Sequence, residues 1–188
     1  GVFYPEYFRS QFTFNDLTTD GPITAIRVEG PNESVNYRIK KLSEELKIQK
    51  NEFVILEPEQ SNIFWEKTRS LEVFSGLKYN LLRIVVPASE TFEVINKIKI
   101  YESEYFIDWG GNLIWLQIDK ISAKILKNIK EIVSNASGYL TAIKIEENLK
   151  ASIDVFTIDP IKYKLTEKIK KSFDPKRILN PGKMYSGI

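Results

Sequence analysis

One arginine lies in the middle of an otherwise apolar stretch. Arg83 follows two leucines and precedes Ile84, Val85 and Val86, a run that is typical of a buried or half-buried strand. A guanidinium that loses its water needs an anionic partner, because an unpaired buried charge is costly. Arg83 is therefore either a clamp for a carboxylate or phosphate group or a residue on the solvated face of a sheet.

A second group of candidates surrounds a short turn. The segment Asp108-Trp109-Gly110-Gly111 combines a carboxylate, an indole and two glycines that can both take positive φ, and it precedes the apolar stretch that holds Trp115. The two indoles either line a ligand pocket or belong to the core. Tyr139 and Thr141 could donate hydrogen bonds to a ligand, although both residue types are common in strands.

The composition excludes several kinds of site. The chain has 188 residues, a formal net charge of +2, no cysteine and no histidine. Disulfides, thiolate zinc sites and Ser-His-Asp catalysis are therefore excluded within it. No phosphate-binding glycine motif or metal-ligand spacing is present, so we predict no metal site. The small net charge argues against a nucleic-acid partner, which would require clustered basic residues.

The sequence contains no apolar run long enough to cross a membrane. Its first ten residues, GVFYPEYFRS, lack the basic-then-apolar order of a signal peptide. We therefore expect no membrane insertion and a cytoplasmic location, with attachment to the inner face of a membrane only through partner subunits.

Hydrophobic periodicity divides most of the chain into alternating strands and helices. It predicts strands over 23–30, 52–57, 81–86, 104–109, 112–118 and 139–145. It predicts helices over 31–47, 62–74, 89–98, 122–134 and 161–173, with Ser89 as the N-cap of the third. The first of these helices carries Val35, Ile39, Leu42 and Leu46 at helical spacing, so we expect it to lie on a sheet.

The same order of elements recurs along the chain. The stretches AIRVEGPNESVNYRIKKL, LRIVVPASETFEVINKI and IWLQIDKISAKILKNIKEI each begin as a strand, break and continue as a helix. This order predicts an α+β fold of ferredoxin-like βαβ repeats, with an antiparallel or mixed sheet and helices packed on one face. We expect an aromatic leader over 1–22 that packs against another element, an α+β cap domain over 23–174 and a C-terminal strap over 175–188.

The strap carries the clearest motif. The end of the chain, SFDPKRILNPGKMY over 172–185, resembles the C-terminal signature of FAD-linked oxidases of the vanillyl-alcohol-oxidase type. Within that family the chain is most similar to the smaller FAD-binding subunits of glycolate oxidases. Three further blocks carry this resemblance: Phe64-Trp65 with Arg69, the strand segment from Leu82 to Pro87, and the DWGG turn followed by Trp115-Leu116.

This resemblance implies a function. The chain would be the cap and substrate domain of an FAD-dependent oxidase or dehydrogenase acting on a small 2-hydroxy acid such as glycolate. FAD would be bound mainly by a domain outside these residues, so we expect little activity from the chain alone and a flavin-binding domain or oxidase subunits as partners. The implied catalytic residues are Arg83 and Tyr139, the implied pocket residues are Trp109, Trp115 and Arg69, and the implied cofactor-binding residues are Asn180 and Lys183.

Three polar positions of the family differ here. Ile114 occupies the position of an arginine, Tyr139 that of a histidine and Leu82 that of a tryptophan. These changes favour an alternative, a non-catalytic ferredoxin-like module that binds a ligand or a subunit. Because the strap would normally contact the flavin domain, we expect residues 180–188 to be loosely ordered here or held by a different contact.

Overall fold

The computed structural model describes residues 1–12, 21–49, 52–74, 80–150, 153–157, 159–183 and 185. The chain forms two compact units, Gly1–Gly76 and Leu77–Ile188. No helix within the described ranges is both long enough and apolar enough to cross a membrane. The partition of the chain into a leader, a cap domain and a strap concerns function and stays a prediction.

The first unit contains a short two-stranded ribbon and two helices. Strands β1 (Val2–Tyr4) and β2 (Ile23–Ala25) pair in antiparallel orientation, and helices α1 (Asn32–Leu46) and α2 (Pro58–Ser70) follow. Short 3-10 turns span Glu6–Gln11 and Glu72–Phe74.

The aromatic leader packs within this first unit. Tyr4, Phe8 and Phe12 are buried, and their rings contact one another and the rings of Phe64 and Phe74. The Tyr4 hydroxyl donates a hydrogen bond of 2.9 Å to Oγ1 of Thr68 on α2, so the polar end of this buried ring is satisfied. The expectation that the leader packs against another element is confirmed for these residues, whereas Phe14 lies outside the described ones.

Two strand predictions fail in the first unit. The strand predicted over 23–30 ends at Ala25, and the one predicted over 52–57 is absent, with Ile55 57% exposed. Helix α2 begins at Pro58 rather than at residue 62. It does so because Glu57 and Gln60 form a reciprocal capping box and proline suits the first helical turn.

Helix α1 is present as predicted, but its packing differs. Val35, Ile39 and Leu42 are only half-buried, Leu46 is exposed, and none of the residues of α1 is buried. The apolar face of α1 is therefore only partly covered.

The second unit has the predicted alternation of strands and helices. In chain order it contains β3 (Asn80–Val85), α3 (Thr91–Ile98), β4 (Ser103–Asp108), β5 (Leu113–Ile118), α4 (Ala123–Asn135), β6 (Tyr139–Lys144), α5 (Glu147–Lys150) and α6 (Pro160–Phe173). The strands lie in the order β4-β5-β3-β6, with every neighbouring pair antiparallel. A βαββαβ chain in this order has the ferredoxin-like arrangement, so the predicted fold class is confirmed.

The core of the second unit lies between one face of this sheet and helices α3 and α4. Alternate strand residues point to that face, because side chains alternate along a strand. The cluster is built from Leu82, Ile84, Ile114, Leu116 and Leu140 of the sheet, Val94, Ile95 and Ile98 of α3, and Leu126, Ile129 and Val133 of α4. Both helices therefore pack on the same face, and the opposite face carries the other set of strand residues.

The two helices that pack on the sheet start differently. Oγ of Ser122 accepts the N–H of Ile125 at 3.2 Å and caps α4, one residue before its first helical position. Helix α3 starts later than predicted, at Thr91 with Glu90 as its N-cap, so the assignment of Ser89 as the cap is wrong. Thr91 instead donates its hydroxyl to the carbonyl of Gly111, which ties α3 to the β4–β5 turn.

Candidate functional site

The sheet face opposite α3 and α4 brings several of the predicted site residues together. Strand pairing places Arg83 between Trp115 on β5 and Thr141 on β6. Tyr139 pairs with Val85, two residues further along β3, and therefore lies on the same face. We call this surface the Arg83 face.

Arg83 is half-buried at the centre of the Arg83 face. Its guanidinium carbon lies 4.8 Å from the centre of the Trp109 ring, a distance at which a cation is attracted by the face of an indole. No carboxylate lies within 4.0 Å of this guanidinium in the described part of the chain. Among the residues that the structure describes, the five N–H donors of Arg83 are therefore not committed to an anion.

The β4–β5 turn presents Trp109 to this arginine. Trp109, Gly110 and Gly111 have φ values of 53°, 62° and 105°, so three consecutive residues adopt positive φ. Oδ1 of Asp108 accepts the Trp109 N–H at 2.7 Å and stabilises a conformation that a tryptophan rarely adopts. The predicted hairpin over the two glycines is confirmed, and its indole is 57% exposed rather than part of the core.

Trp115 forms the second aromatic wall of the Arg83 face. Its indole is half-buried and lies beside Phe106 of β4, with ring centroids 6.5 Å apart and an interplanar angle of 31°. Phe106 is fully buried, so it supports Trp115 from one side. The Trp115 ring therefore packs against Phe106 on the strand next to Arg83.

Tyr139 has a partner that the sequence did not suggest. Lys162 on α6 donates a hydrogen bond of 3.2 Å to the Tyr139 hydroxyl, and its ammonium lies 4.8 Å from the centre of that ring. This hydrogen bond raises the pKa of Lys162. Because lysine can only donate, the phenol oxygen accepts, and its own O–H remains available to a ligand.

Lys162 could have been found from the start of its helix. Asp159 caps α6 by accepting the backbone N–H groups of Ile161 and Lys162 at 2.9 and 3.0 Å. An Asp-Pro pair before a helical stretch is a recognisable start signal. It fixes Lys162 in the first turn, but sequence alone does not reveal that this turn lies beside the start of β6.

The remaining predicted site residues lie elsewhere. Arg69 is an exposed residue of α2 in the first unit and is not part of this sheet. Asn180 and Lys183 are exposed at the two ends of a turn in which the Lys183 N–H donates to the Asn180 carbonyl at 3.3 Å. Pro181 and Gly182, with φ of 66° at the glycine, form its central positions.

No cluster of three or more metal-ligating side chains occurs among the residues that the structure describes. The Arg83 face instead offers hydrogen-bond donors, positive charge and two indoles. This combination suits a planar or carboxylate-bearing organic ligand.

Comparisons with known proteins agree with the sequence motifs. The family model for the C-terminal domain of FAD-linked oxidases matches residues 155–184. The resemblance to that domain is confirmed. A curated relative, glycolate oxidase subunit GlcE of Escherichia coli (strain K12), is 28% identical over 126 residues, which cover 66% of this chain and 32% of the relative. The chain therefore spans about one third of the length of the relative it matches.

The matched segment contains a buried charge pair that explains its motif. Oδ1 and Oδ2 of Asp174 accept the backbone N–H groups of Ile178 and Leu179 at 3.0 and 2.9 Å, and Nζ of Lys170 lies 2.7 Å from Oδ2. These contacts, led by the Lys170 hydrogen bond, lower the pKa of Asp174 to about 2. The aspartate of the FDP sequence thus fixes the turn that follows α6.

The end of the strap is held inside the second unit. Tyr185 is buried, and its ring lies 6.0 Å from that of Phe156 and 6.2 Å from that of Tyr163. Residues 180–188 were expected to be either loosely ordered or held by a contact other than one with a flavin domain. Tyr185 follows the second alternative, because aromatic residues of its own unit hold it. Met184 and residues 186–188 lie outside the described part of the chain.

Proposed function

We propose that this chain is the C-terminal cap and substrate domain of an FAD-dependent oxidase or dehydrogenase subunit that acts on a small 2-hydroxy acid. The family match and the GlcE relative support an FAD-linked oxidase subunit. The cap role and the hydroxy-acid substrate are our proposal. The observation that carries them is the guanidinium of Arg83, which lies beside Trp109 on the Arg83 face and has no carboxylate partner within the described ranges.

The chemistry of this face suits the planar ring of a flavin better than its pyrophosphate. Exposed and half-buried indoles beside a cation suit the covering of a planar ring and the binding of a carboxylate. The sequence has no glycine-rich loop for the pyrophosphate, which agrees with FAD being bound mainly by a domain outside these residues. When bound, FAD would accept the hydride from the substrate.

The residues of the chain would bind and orient the substrate. Arg83 can engage a carboxylate with two parallel hydrogen bonds, and such charged pairs are short and directional. The free O–H of Tyr139 would donate to a second substrate oxygen while Lys162 holds the phenol in place. Trp109 and Trp115 would exclude water from the site.

The other predicted residues have supporting roles in this proposal. Asn180 and Lys183 would donate to the edge of the flavin from their exposed turn, and Arg69 would contribute to the substrate pocket. The partners would be the flavin-binding domain and further oxidase subunits.

The test supplies the flavin from outside the chain. The full chain is mixed with the FAD-loaded flavin-binding portion of GlcE, and the reduction of a dye by glycolate and by lactate is measured. We expect turnover that Arg83→Met weakens at least about thirtyfold in kcat/KM, because the substrate carboxylate loses its charged partner. Arg27→Met is the matched control, since Arg27 is paired with Glu29 in the first unit.

Two results would decide against this proposal. Equal turnover in wild type and Arg83→Met would remove Arg83 from the site. Glycolate binding by the mixture without any turnover would favour the alternative, a non-catalytic ligand-binding module, which the isoleucine at position 114 also favours.

A further inference from the structure

Helix α6 faces the rest of its unit with a polar and aromatic side. Tyr163, Thr166 and Lys170 are its half-buried residues. Tyr163 contacts the ring of Tyr185, and Lys170 pairs with the buried carboxylate of Asp174. These residues recur at helical spacing, so they define the side of α6 that packs inward.

The apolar residues of α6 lie on a different side and face solvent. Ile161, Leu165, Ile169 and Phe173 are 80%, 58%, 51% and 85% exposed. Each is four residues from the next, so together they form a single continuous ridge along the helix. An apolar ridge of this length is seldom left open to water, and it marks an interaction surface.

Two more exposed apolar residues follow the end of the helix. Ile178 and Leu179 are 72% and 60% exposed, and Asp174 holds both of their backbone N–H groups. Two further exposed apolar side chains therefore belong to a turn that the buried Asp174 carboxylate fixes just after α6. We refer to these six exposed side chains as the α6 ridge.

A row of positive charge runs beside the α6 ridge. Lys164, Lys168 and Lys171 are exposed, and helical geometry places them next to one another on the side of the ridge away from the packed face. Between residues 160 and 183, eight basic residues face two acidic ones, a net charge of +6 in a chain whose total is only +2. The positive charge is thus concentrated around the exposed apolar side chains.

We propose that the α6 ridge docks an acidic amphipathic helix of a partner protein. A ridge of side chains four residues apart packs into the groove between the corresponding ridges of a second helix. The lysine row would then lie opposite carboxylates of that helix, since complementary charge selects the partner and its orientation. The helical part of the ridge, from Ile161 to Phe173, spans about 18 Å, the length of roughly three helical turns. This inference stands independently of the proposed function.

The fixed turn favours a protein partner over a lipid surface. A helix that lies on a membrane adapts to a fluid interface and depends on its apolar face and its charge. Here Asp174 and Lys170 fix the turn that carries Ile178 and Leu179 directly after α6, which gives this end of the surface a defined shape. Shape matters for docking against another packed helix rather than against lipid.

The experiment uses the full chain and a defined probe. The probe is a fluorescein-labelled synthetic peptide that forms a helix with leucines on one face and glutamates on the other, and a peptide of scrambled sequence is its control. Fluorescence anisotropy is measured at increasing salt. We expect saturable binding of the helical peptide, weakened by salt because the lysine row is exposed, and no binding of the scrambled one.

Matched variants separate the ridge from the rest of the surface. Leu165→Asn with Ile169→Asn should weaken binding at least about tenfold, whereas Phe92→Asn on α3 should leave it unchanged, although Phe92 is 75% exposed, more than either Leu165 or Ile169. Charge reversal at Lys164, Lys168 and Lys171 should weaken binding and remove most of its salt dependence. Circular dichroism of each variant checks that the chain is folded.

Several outcomes would overturn the proposal. One is that the helical peptide does not bind the wild-type chain. Another is that the Leu165 and Ile169 variant binds the peptide as tightly as wild type does. A third is that the wild-type chain co-sediments with vesicles of phosphatidylcholine and phosphatidylglycerol and binds no peptide. If the Leu165 and Ile169 variant then lost the vesicle binding, the surface would be assigned to a membrane. Dimers in sedimentation velocity that the same variant abolishes would assign it to a second copy of the chain.

Discussion

Replacing Gly138 with alanine tests the packing that places Tyr139. Gly138 precedes β6 and is buried. A Cβ atom at this residue would lie 2.4 Å from Cγ1 of Val86, 2.7 Å from the carbonyl oxygen of Val85 and 2.9 Å from Cγ1 of Val133. A valine methyl group could move aside by rotation, but the Val85 oxygen belongs to the backbone of β3. The alanine variant must therefore separate β6 from β3 or shift α4.

The expected cost follows from these contacts. Overpacking a close-packed site costs 1–3 kcal/mol, and a clash with backbone places this site at about 3 kcal/mol. For a chain of this size that loss lowers the melting temperature by roughly 6–12 °C. Thermal unfolding followed by circular dichroism measures it. We also expect glycolate turnover in the mixed assay to fall, because Tyr139 moves with the start of β6.

A control and a double mutant separate the steric effect from backbone strain. Gly110→Ala has no atom within 4 Å of its new Cβ but keeps a φ of 62°, so it should cost only about 1 kcal/mol. The double mutant Val86→Ala with Gly138→Ala should lose less free energy of unfolding than the two single variants lose in sum. We expect a difference of at least about 1 kcal/mol. A Gly138→Ala melting temperature within about 2 °C of wild type would refute the reasoning.

Three further predictions concern stability. Asp174→Asn should lower the melting temperature near neutral pH. Because the folded pKa of Asp174 lies below its ordinary value of 3.8, at about 2, its contribution is complete above pH 3.8 and is lost as the pH falls towards 2. The difference from wild type should therefore vanish across that interval, and a difference that persists at pH 2 would contradict it. Ser137→Gly should raise the melting temperature by roughly 1–2 °C, since Ser137 has φ of 54°; no increase in a thermal scan would count against it. Asn80→Ala should cost about 2–3 kcal/mol in urea unfolding, because the buried amide donates to Ile118 and accepts from Glu146; a loss below about 0.5 kcal/mol would contradict it.

The second unit could be predicted well because its local signals agree with one another. The apolar stretches on either side of Gly110-Gly111 predict a hairpin, and Ser122 marks the start of α4 at the right residue. With two helices between four strands, the ferredoxin-like order then follows from general rules of connection. Local preference and tertiary structure coincide here, which is the condition under which sequence patterns are reliable.

The first unit shows where such signals fail. The stretch 52–57 has the alternation of a strand, yet the structure gives it no pairing partner and leaves Ile55 exposed. A strand is stabilised by its neighbours rather than by its own sequence, so periodicity cannot establish that a partner is present. Likewise, the apolar spacing of α1 predicts a helix but not what covers it.

The candidate site was predictable as a set of residues but not as an arrangement. Arg83 and Trp115 each stood out by type, whereas their direct pairing depends on the register between β3 and β5, which no short turn connects. Lys162 was missed because its contact with Tyr139 joins elements 23 residues apart. Periodicity predicted α6 as a helix, but it could not show that Tyr163 and Lys170 make its inward contacts and leave its apolar residues exposed.

The pairing of Arg83 with Trp115 has a consequence for symmetry. The segments β3-α3-β4 and β5-α4-β6 repeat one another, and the offset of 32 residues that relates Arg83 to Trp115 also relates the first residue of α3, Thr91, to the first residue of α4, Ala123. The two residues are also direct neighbours across the antiparallel β3–β5 pair. An approximate two-fold axis perpendicular to the sheet therefore passes between them. A ligand bound on this axis, as proposed, would meet a cation from one half of the repeat and an indole from the other, so the two equivalent positions would give the site a direction.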